Sequence, residues 1–340
     1  MKTETVAAIY DRRRREQTAA TDHAVRLLRA GETVALPTET VYGLAANALN
    51  PVAVAKIFEA KERPSFDPLI VHLPGRDWLE RIAKIDNHSR EIIEKLIAQF
   101  WPGPLTLVLD RQSIVPEIVT AGLDTVAVRI SEHPIFAEIV RELGSPLAAP
   151  SANRFGRLSP TTAQHVLDEL GGRIPLIVDA GAAKHGIEST IIAPRGDRID
   201  ILRRGPITSE QLSAFGKINI VTSRENLSAP GQLPSHYAPK TPVQLVHNAQ
   251  SFSPKRNQRC AFLAWNAVEN GGRFIAIRRL SECGDLCEAA ANLFRFLREL
   301  DALEGDLIVA ERVPDQGVGA AIMDRLRRAS HRLDKRDTPG

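Results

Sequence analysis

The stretch KERPSFDPLIVH, from Lys61 to His72, connects the end of a helical pattern to an apolar strand pattern. Asn50–Pro51 is a helix-start signal, and Pro64 disfavours helical geometry in the residue before it, so the helix between them is expected to end near Arg63. The apolar run LIVH then predicts a strand. A helix that leads through a short polar loop into a buried strand indicates an α/β fold.

The alternation of helices and strands continues over the N-terminal two-thirds of the chain. A helical stripe over residues 24–28 stops at Gly31, a typical C-cap. Short apolar runs bounded by glycine, proline and polar residues predict further strands. These runs are TVALP, PLIVHL, LTLVL, TVAVRI, PLIVDA, STIIA and DILR.

The pattern weakens between residues 209 and 242. The segment SAPGQLPSHYAPKTP contains four prolines and a glycine and is typical of a semi-rigid linker. Beyond it, the runs VQLV, CAFLAW, RFIAI and DLIVA and a helical stripe over Leu286–Leu300 predict a second α/β unit. We therefore predict a first domain over residues 1–208, a linker over 209–242 and a C-terminal domain over 243–340.

Composition favours a globular protein of the cytoplasm. The net charge of +3 over 340 residues is too small to argue for nucleic-acid binding by itself, and the run Arg12–Arg15 is more often a solvated surface. No apolar run has membrane-spanning length, and Met1–Ala20 lacks the apolar centre of a signal peptide, so we expect a cytoplasmic protein with no membrane contact. The spacing of Cys283 and Cys287 favours a buried thiol pair on a helix over a metal site.

The common nucleotide-binding and hydrolase motifs are absent from the sequence. There is no GxxxxGK(S/T) loop, no GxGxxG between a strand and a helix, and no GxSxG, CxxC or HExxH motif. If the protein handles a nucleotide, it therefore does so without the usual glycine-rich cradle.

Polar side chains follow several of the predicted strands. Thr38 and Thr40 come directly after TVALP, where ligands bind in open α/β sheets. In DTVAVRI the two-residue period places Arg129 on the face opposite to the valines. An arginine inside a covered sheet needs an anion, which can be a bound carboxylate; the alternatives are an internal ion pair or an exposed sheet face. His72, at the end of LIVH, belongs to a residue type that is more often a structural hydrogen-bonding group than a catalyst.

Two further segments are candidates for an anion site. In SANRFGRLSPTT, Ser159–Pro160 predicts a helix start, where free N–H groups bind anions, although Ser159 can be a cap and nothing more. A helix terminus contributes only about 0.3–1 kcal/mol to an anion. Charge-assisted hydrogen bonds from arginine contribute about 1.5–3 kcal/mol each and must therefore supply more of the binding free energy of an anion than a helix terminus does. Lys61 and Arg63 fit this need, although cations are favourable at a helix C-terminus without any ligand.

Taken in order and spacing, the motifs resemble those of the YrdC/Sua5 family of threonylcarbamoyl-AMP synthases, of the long Sua5 type. The matching motifs are LPTETVYGLAANA, KERPSFDPLIVHL, SANRFGRLSPT, STII, ILRRGPI, PSHYAPKTP and GVGAAIMDRLRRAS. The resemblance covers the chain from about Thr18 to Ser330. It implies a YrdC-like twisted open sheet with flanking helices, followed by a smaller Rossmann-like α/β C-terminal Sua5 domain.

The resemblance implies that L-threonine, bicarbonate or CO2, and ATP give threonylcarbamoyl-AMP and pyrophosphate. It also implies Mg²⁺ held by the ATP phosphates without a direct protein ligand. A separate transferase complex would pass the threonylcarbamoyl group to tRNA, forming N6-threonylcarbamoyladenosine, and direct binding of tRNA or double-stranded RNA stays open.

The matching motifs also imply which residues form the site. Around threonine they place Thr38, His72, Arg129, Ala149 (through its backbone) and Ser189. Around ATP they place Arg63, Asp67, Thr125, Ser151, Ser159, Arg203 and the linker residue Tyr237. Lys61 and Arg63 would be the catalytic cations at the phosphates.

Two positions depart from the family pattern, which often has asparagine where this chain has Asp67 and Asp324. A carboxylate at Asp67 would repel phosphate unless it points at a metal or a backbone amide. The departures leave the rest of the implied site unchanged.

Two other functions are open at this point. An O-carbamoyltransferase of related fold would act on carbamoyl phosphate, but such enzymes normally carry extra domains that this chain lacks. A non-catalytic RNA-binding module would need a basic stripe with interleaved aromatic residues, and aromatic residues make up only 5% of the chain.

Overall fold

Two sheets with flanking helices organise the chain. The computed structural model describes residues 1–7, 19–221, 237–266 and 271–334. Within these residues, twelve strands form one sheet and four strands form a second, smaller sheet. The run Arg12–Arg15 lies outside the described residues, as does most of the proline-rich segment before Tyr237.

The strands and helices alternate along the chain as in an α/β protein. The strands are β1 (Glu4–Ala7), β2 (Val34–Leu36), β3 (Gly43–Asn47), β4 (Ile70–His72), β5 (Ala83–Lys84), β6 (Leu105–Arg111), β7 (Thr125–Arg129), β8 (Leu147–Ala148), β9 (Leu176–Asp179), β10 (Thr190–Arg195), β11 (Arg198–Arg203), β12 (Lys217–Ile220), β13 (Val243–Val246), β14 (Cys260–Ala264), β15 (Ala276–Arg279) and β16 (Leu307–Glu311). The helices are α1 (Ala19–Arg29), α2 (Pro51–Lys61), α3 (Leu79–Ile82), α4 (Arg90–Phe100), α5 (Glu117–Thr120), α6 (Pro134–Leu143), α7 (Ala163–Leu170), α8 (Ser209–Leu212), α9 (Leu286–Asp301) and α10 (Val318–Asp334).

The larger sheet is mixed, with the order β1-β9-β2-β3-β8-β4-β7-β6-β10-β11-β12 and β5 beside β6. Its centre positions the site, because β4 and β7 are parallel neighbours and β8 runs antiparallel to β4. The smaller sheet has the order β13-β16-β14-β15 and is parallel in all its described pairs. The predicted α/β architecture, with a second, smaller α/β unit, is confirmed.

Helix α2 shows how the local sequence sets an element's limits. The Asn50 side chain accepts hydrogen bonds from the backbone N–H groups of Val52 and Ala53, and Pro51 occupies the first turn. At the other end, Glu62 adopts the left-handed conformation and closes the last turn. The helix therefore ends at Lys61, close to the predicted end near Arg63.

Several elements differ from the predictions. The predicted linker begins too early, because α8 and β12 lie in it and β12 pairs with β11 in the larger sheet. The helix predicted at Ser159–Pro160 starts later, at Ala163, and its N-cap is Thr162, whose side chain accepts from His165 N. The prediction that Ser159 caps this helix is therefore wrong.

The cysteine prediction was also wrong. Cys283 and Cys287 are free and exposed, and Cys283 precedes helix α9, whose N-cap is Asp285. The two thiols are therefore not a buried pair on one helix.

The two units share a packed interface. Leu158 and Ile187 of the N-terminal unit belong to the same buried apolar cluster as the inward face of α9 and α10. Gly186 adopts a positive φ of 68°, and a Cβ there would lie 2.5 Å from Cα of Ala291 in α9. Glycine is required at this position both by its backbone conformation and by the closeness of the two units.

None of the helices within the described residues has the length and apolar character needed to span a membrane.

Gly186→Ala should lower the Tm by several degrees more than Gly181→Ala. Both glycines have positive φ, but a Cβ at Gly181 meets nothing within 4 Å. The strained backbone costs about 1–2 kcal/mol in each variant, whereas overpacking against α9 adds about 1–3 kcal/mol only at Gly186. Differential scanning calorimetry measures the difference, and equal Tm values for the two variants would contradict the interface described here.

Candidate functional site

A cavity of about 540 Å³, including the open space at its mouth, lies at the ends of the central strands of the larger sheet. Its lining residues are Thr38, Thr40, Val41, Gly43, Arg63, Ile70, His72, Arg129, Ala149, Pro150, Ser151, Glu188, Ser189, Arg203 and Tyr237.

Strand pairing brings the predicted threonine residues together. In the parallel pair of β4 and β7, His72 is the register partner of Arg129, so their side chains lie at the same end of adjacent strands. Ala149 continues from β8 and donates its N–H to the carbonyl of Ile70 at 2.9 Å. An isolated bridge between Gly43 and Ser151 joins the start of β3 to the loop after β8. Four separate segments therefore converge on one cavity.

Arg129 is buried and bound by three partners. Its Nη2 donates to Glu39 Oε1, its Nη1 to Thr40 Oγ1 at 3.1 Å and its Nε to the carbonyl of Gly103 at 3.1 Å. The internal ion pair considered from the sequence is therefore present, yet Arg129 also lines the cavity. These bonds hold the guanidinium in a fixed orientation in the cavity wall.

Glu39 is the buried counter-ion of Arg129. Burial alone would raise the pKa of Glu39, but the charge of Arg129 and hydrogen bonds from Ser131 and Arg129 outweigh it and lower the pKa to about 2. Sequence reasoning missed Glu39, although its place between Thr38 and Thr40 in LPTETVYG was visible.

Thr38 organises the turn that follows β2. Its hydroxyl donates to the carbonyl of Val41 at 2.6 Å and accepts from the N–H groups of Thr40 and Val41. Thr38 is only 3% exposed and lines the cavity. The structure therefore gives it a role in shaping the loop, in addition to its predicted place beside threonine.

His72 is a neutral imidazole in the cavity wall. Burial, together with the positive charge of Arg129, lowers the pKa of His72 to about 3. The ring packs against Phe136 with centroids 4.7 Å apart, and Nδ1 is buried without a hydrogen-bond partner in the described part of the chain. Buried polar atoms are rarely left unpaired, so this nitrogen is a candidate contact for a ligand.

Lys61 and Arg63 have different surroundings. Lys61 is 1% exposed, does not line the cavity, and donates from Nζ to the carbonyls of Ser151 and Asn153. Burial and the nearby charge of Arg63 lower the pKa of Lys61 well below its ordinary value. Lys61 thus fixes the loop that carries Ser151, and its predicted contact with phosphate stays a prediction.

Arg63 does line the cavity. Its Nη2 donates to the carbonyl of Pro68 at 2.9 Å and lies 2.9 Å from Oδ2 of Asp67. Oδ2 of Asp67 therefore faces Arg63, whereas a metal or a backbone amide were the possibilities considered from the sequence. It compensates Arg63 and stays away from the cavity lining. A carboxylate at this position is tolerated because its charge is paired inside the loop.

Arg203 and Ser189 form another part of the cavity wall. Arg203 donates from Nε to the carbonyl of Ser189 and from Nη2 to its hydroxyl, both at 3.0 Å. The Ser189 hydroxyl also lies 2.8 Å from Thr106 Oγ1. These bonds account for the placement of both predicted residues.

Glu188 is a second acidic residue that sequence reasoning missed. It lines the cavity beside Ser189 and accepts hydrogen bonds from Ser159 and from Arg325 of α10. Ser159 is therefore buried behind Glu188 and does not line the cavity. Thr125 is also absent from the lining, since it begins β7 while Arg129 ends it. Their predicted contacts with ATP stay predictions.

Tyr237 closes one side of the cavity. It is 1% exposed, has a φ of 62°, and its ring packs against Phe294 of α9 with centroids 5.5 Å apart. Arg325 lies over the same ring, with Cζ 5.3 Å from the centroid. The residue predicted to close over ATP is thus held in place by the C-terminal domain.

The described residues contain no group of three or more His, Cys, Asp and Glu side chains that could hold a metal ion. The acidic side chains at the cavity are paired with arginines, as described for Glu39, Asp67 and Glu188. The arginines of the lining suit anionic oxygens, and this donor set fits a metal that is held by bound phosphates. The role of Mg²⁺ stays a prediction.

Two family models match the chain. The Sua5/YciO/YrdC model, described as "Telomere recombination", matches residues 26–205, and the model described as "Threonylcarbamoyl-AMP synthase, C-terminal domain" matches residues 207–331. The chain belongs to the Sua5/YrdC family. The family predicted from the sequence motifs is thereby confirmed.

Similar proteins match over nearly the whole length of this Sua5/YrdC family member. The chain is 42% identical to the threonylcarbamoyl-AMP synthase of Bacillus subtilis, over 90% of this chain and 92% of that one. It is 40% identical to that of Pyrococcus abyssi, over 90% and 93%. The structure of P. abyssi Sua5 complexed with L-threonine has a TM-score of 0.85 and 36% identity, over 97% of this chain and 98% of that one. The predictions of the fold and of an enzyme of this family are confirmed.

Glu39→Gln should destabilise the protein by about 3–5 kcal/mol near neutral pH, because Arg129 loses a buried counter-charge. The pKa of Glu39 is lowered from 4.5 to about 2 by folding. Its stabilising effect is therefore fully present above about pH 4.5 and is lost as the pH falls towards 2. The Tm difference between wild type and variant should accordingly shrink below pH 4.5.

The control for this test is Glu80→Gln, which removes an exposed carboxylate paired with Arg90. An exposed pair of this kind contributes about 0–1 kcal/mol, so its Tm should stay close to that of the wild type. A Tm difference for Glu39→Gln that stays constant from pH 7 to pH 3 would contradict the assigned ion pair.

Proposed function

We propose that the cavity binds L-threonine and ATP together and that the enzyme forms threonylcarbamoyl-AMP and pyrophosphate from L-threonine, bicarbonate or CO2, and ATP. The observation that carries this proposal is the convergence of Arg63, Arg129 and Arg203 on one cavity that also contains the neutral His72. Membership of the family and the similarity to a Sua5 that binds L-threonine support the same reaction.

The threonine end of the cavity is formed by β4, β7 and the turn after β2. Arg129 presents its guanidinium to the amino-acid carboxylate, since its contacts with Glu39 and Gly103 leave it rigid. The unpaired Nδ1 of His72 faces a polar group of the substrate. Val41, Ile70 and the Ala149 region supply apolar contacts for the methyl group, a discrimination worth about 1–3 kcal/mol against serine.

The reaction has two steps. The neutral amine of threonine attacks CO2 and gives a carbamate after its proton passes to solvent; with bicarbonate, the same carbamate forms and the amine proton leaves with the hydroxyl group as water. A carbamate oxygen then attacks the α-phosphorus of ATP, the bond from that phosphorus to the bridging oxygen breaks, and pyrophosphate leaves. The protein's part is to position the reactants and stabilise charge.

Arg63 and Arg203 bind the triphosphate by charge-assisted hydrogen bonds, while Lys61 holds the Ser151 loop against it. When bound, Mg²⁺ on the phosphates supplies further neutralisation of negative charge. Tyr237 covers the nucleotide. Transfer of the product to tRNA by a separate complex and a location in the cytoplasm are further predictions, and direct binding of tRNA or double-stranded RNA stays open.

The deciding experiment is incubation of the purified full-length protein with Mg-ATP, bicarbonate and labelled threonine. We expect a labelled adenylate and an equal amount of pyrophosphate, both dependent on threonine and on bicarbonate. Pyrophosphate release that depends on carbamoyl phosphate would instead favour a carbamoyltransferase. RNA binding with a steep salt dependence and no consumption of ATP would favour a binding module.

Arg63→Ala should lower kcat/KM for ATP by about 10²–10³, the loss usual for one donor to a developing charge. Arg63→Lys should recover part of the activity, because lysine restores the positive charge but not the bidentate donors of the guanidinium. Arg81→Ala is the matched control, since Arg81 lies over the Trp78 ring outside the cavity. Activity of Arg63→Ala equal to that of the control would refute the role of Arg63, provided that both variants are folded by circular dichroism.

A further inference from the structure

Arg325 is a fully buried arginine that comes from the C-terminal domain but contacts the wall of the catalytic cavity. It lies on α10 and is 0% exposed. Its Nε and Nη2 donate to Oε2 of Glu188 at 3.1 and 3.0 Å, and its Nη1 donates to the carbonyl of Arg204 at 2.7 Å. Its guanidinium also lies over the Tyr237 ring.

Each of these contacts reaches a part of the cavity lining. Glu188 and Tyr237 line the cavity themselves, and the carbonyl of Arg204 directly follows the lining residue Arg203. A single guanidinium therefore joins the loop before β10, the residue that follows β11 and the linker residue Tyr237. Both donors of Arg325 reach the same oxygen of Glu188, Oε2, while the Ser159 hydroxyl donates to Oε1, so the two oxygens of the carboxylate are both held.

The contact between Arg325 and Glu188 matters because Glu188 is negatively charged and lies in the cavity wall. The cavity is lined by arginines suited to a triphosphate, and Glu188 is a negative charge in the same wall, near enough to Arg203 to act on it electrostatically. An unpaired carboxylate there would repel the phosphates and compete for Arg203. Beyond Arg325, the hydroxyl of Ser159 also donates to Glu188, but a hydroxyl supplies no positive charge.

We infer that Arg325 is a positioning residue for nucleotide binding, which neutralises Glu188 and fixes the side of the cavity formed by Glu188, Arg203 and Tyr237. This inference rests on the proposed function, and it gives the C-terminal domain a specific part in that function. The domain supplies the counter-charge that makes one wall of the cavity compatible with an anion.

Equilibrium binding of Mg-ATP, measured by isothermal titration calorimetry on the full-length protein, tests the inference without relying on turnover. Arg325→Met should raise the Kd for Mg-ATP by at least about tenfold, since it leaves a buried carboxylate without its cation. The double variant Glu188→Gln with Arg325→Met should bind within about threefold of Glu188→Gln alone, because no unpaired charge is then left. Arg325→Lys should fall between wild type and Arg325→Met.

The matched control is Arg298→Met. Arg298 of α9 also makes a partly buried ion pair across the interface, with Glu169 at 3.2 Å, but neither residue lines the cavity. We expect it to lower the Tm while the Kd for Mg-ATP stays within about twofold of the wild type. Arg325→Lys and the double variant keep the test decisive if Arg325→Met alone does not fold.

Three results would overturn the inference alone: wild-type affinity in Arg325→Met, a double variant that binds no better than Arg325→Met, or an equal loss of affinity in Arg298→Met. Failure of the wild type to bind Mg-ATP would overturn the proposed function itself and, with it, this inference. The two failures are therefore distinguishable.

Discussion

The buried ion pair between Arg129 and Glu39 is the interaction on which the cavity depends. A guanidinium inside a sheet is costly unless an anion and further acceptors surround it, and here Glu39, Thr40 and the carbonyl of Gly103 do so. The same solution recurs for Arg63 with Asp67 and for Arg325 with Glu188. The arginines of the cavity can thus stay charged and buried in the folded protein without a bound ligand.

Backbone pairing makes this arrangement rigid. The parallel register of His72 with Arg129 and the bridge between Gly43 and Ser151 place four loops at one end of the sheet. Lys61 adds a side-chain contact to the carbonyls of the loop that follows β8. The preorganised donors of the site therefore depend on β-pairing over long sequence distances, in place of a glycine-rich turn.

Strand-end polar residues could be predicted from the sequence because a two-residue period fixes which side chains share a face. Arg129 was found in this way, whereas Thr38 was found from its place directly after a predicted strand and His72 from its place at the end of one. The acidic partners of the buried arginines, Glu39 and Glu188, were not predicted, because no local sequence pattern distinguishes an ion-pair partner from a surface carboxylate. Strand β3 was missed because its Gly-Leu-Ala-Ala-Asn sequence lacks β-branched residues. The cap at Ser159 was misassigned because Thr162, three residues later, offers an equivalent hydroxyl.

The packing of the Tyr237 ring against Phe294 has a thermodynamic consequence for the whole chain. A ligand enclosed by that tyrosine stabilises every element that must stay folded to keep the ring in place. Saturation with nucleotide would then slow amide hydrogen exchange in α9 and α10 as well as in the larger sheet. Conversely, partial unfolding of the smaller unit by itself would open the side of the cavity that Tyr237 closes while the sheet beneath remained intact.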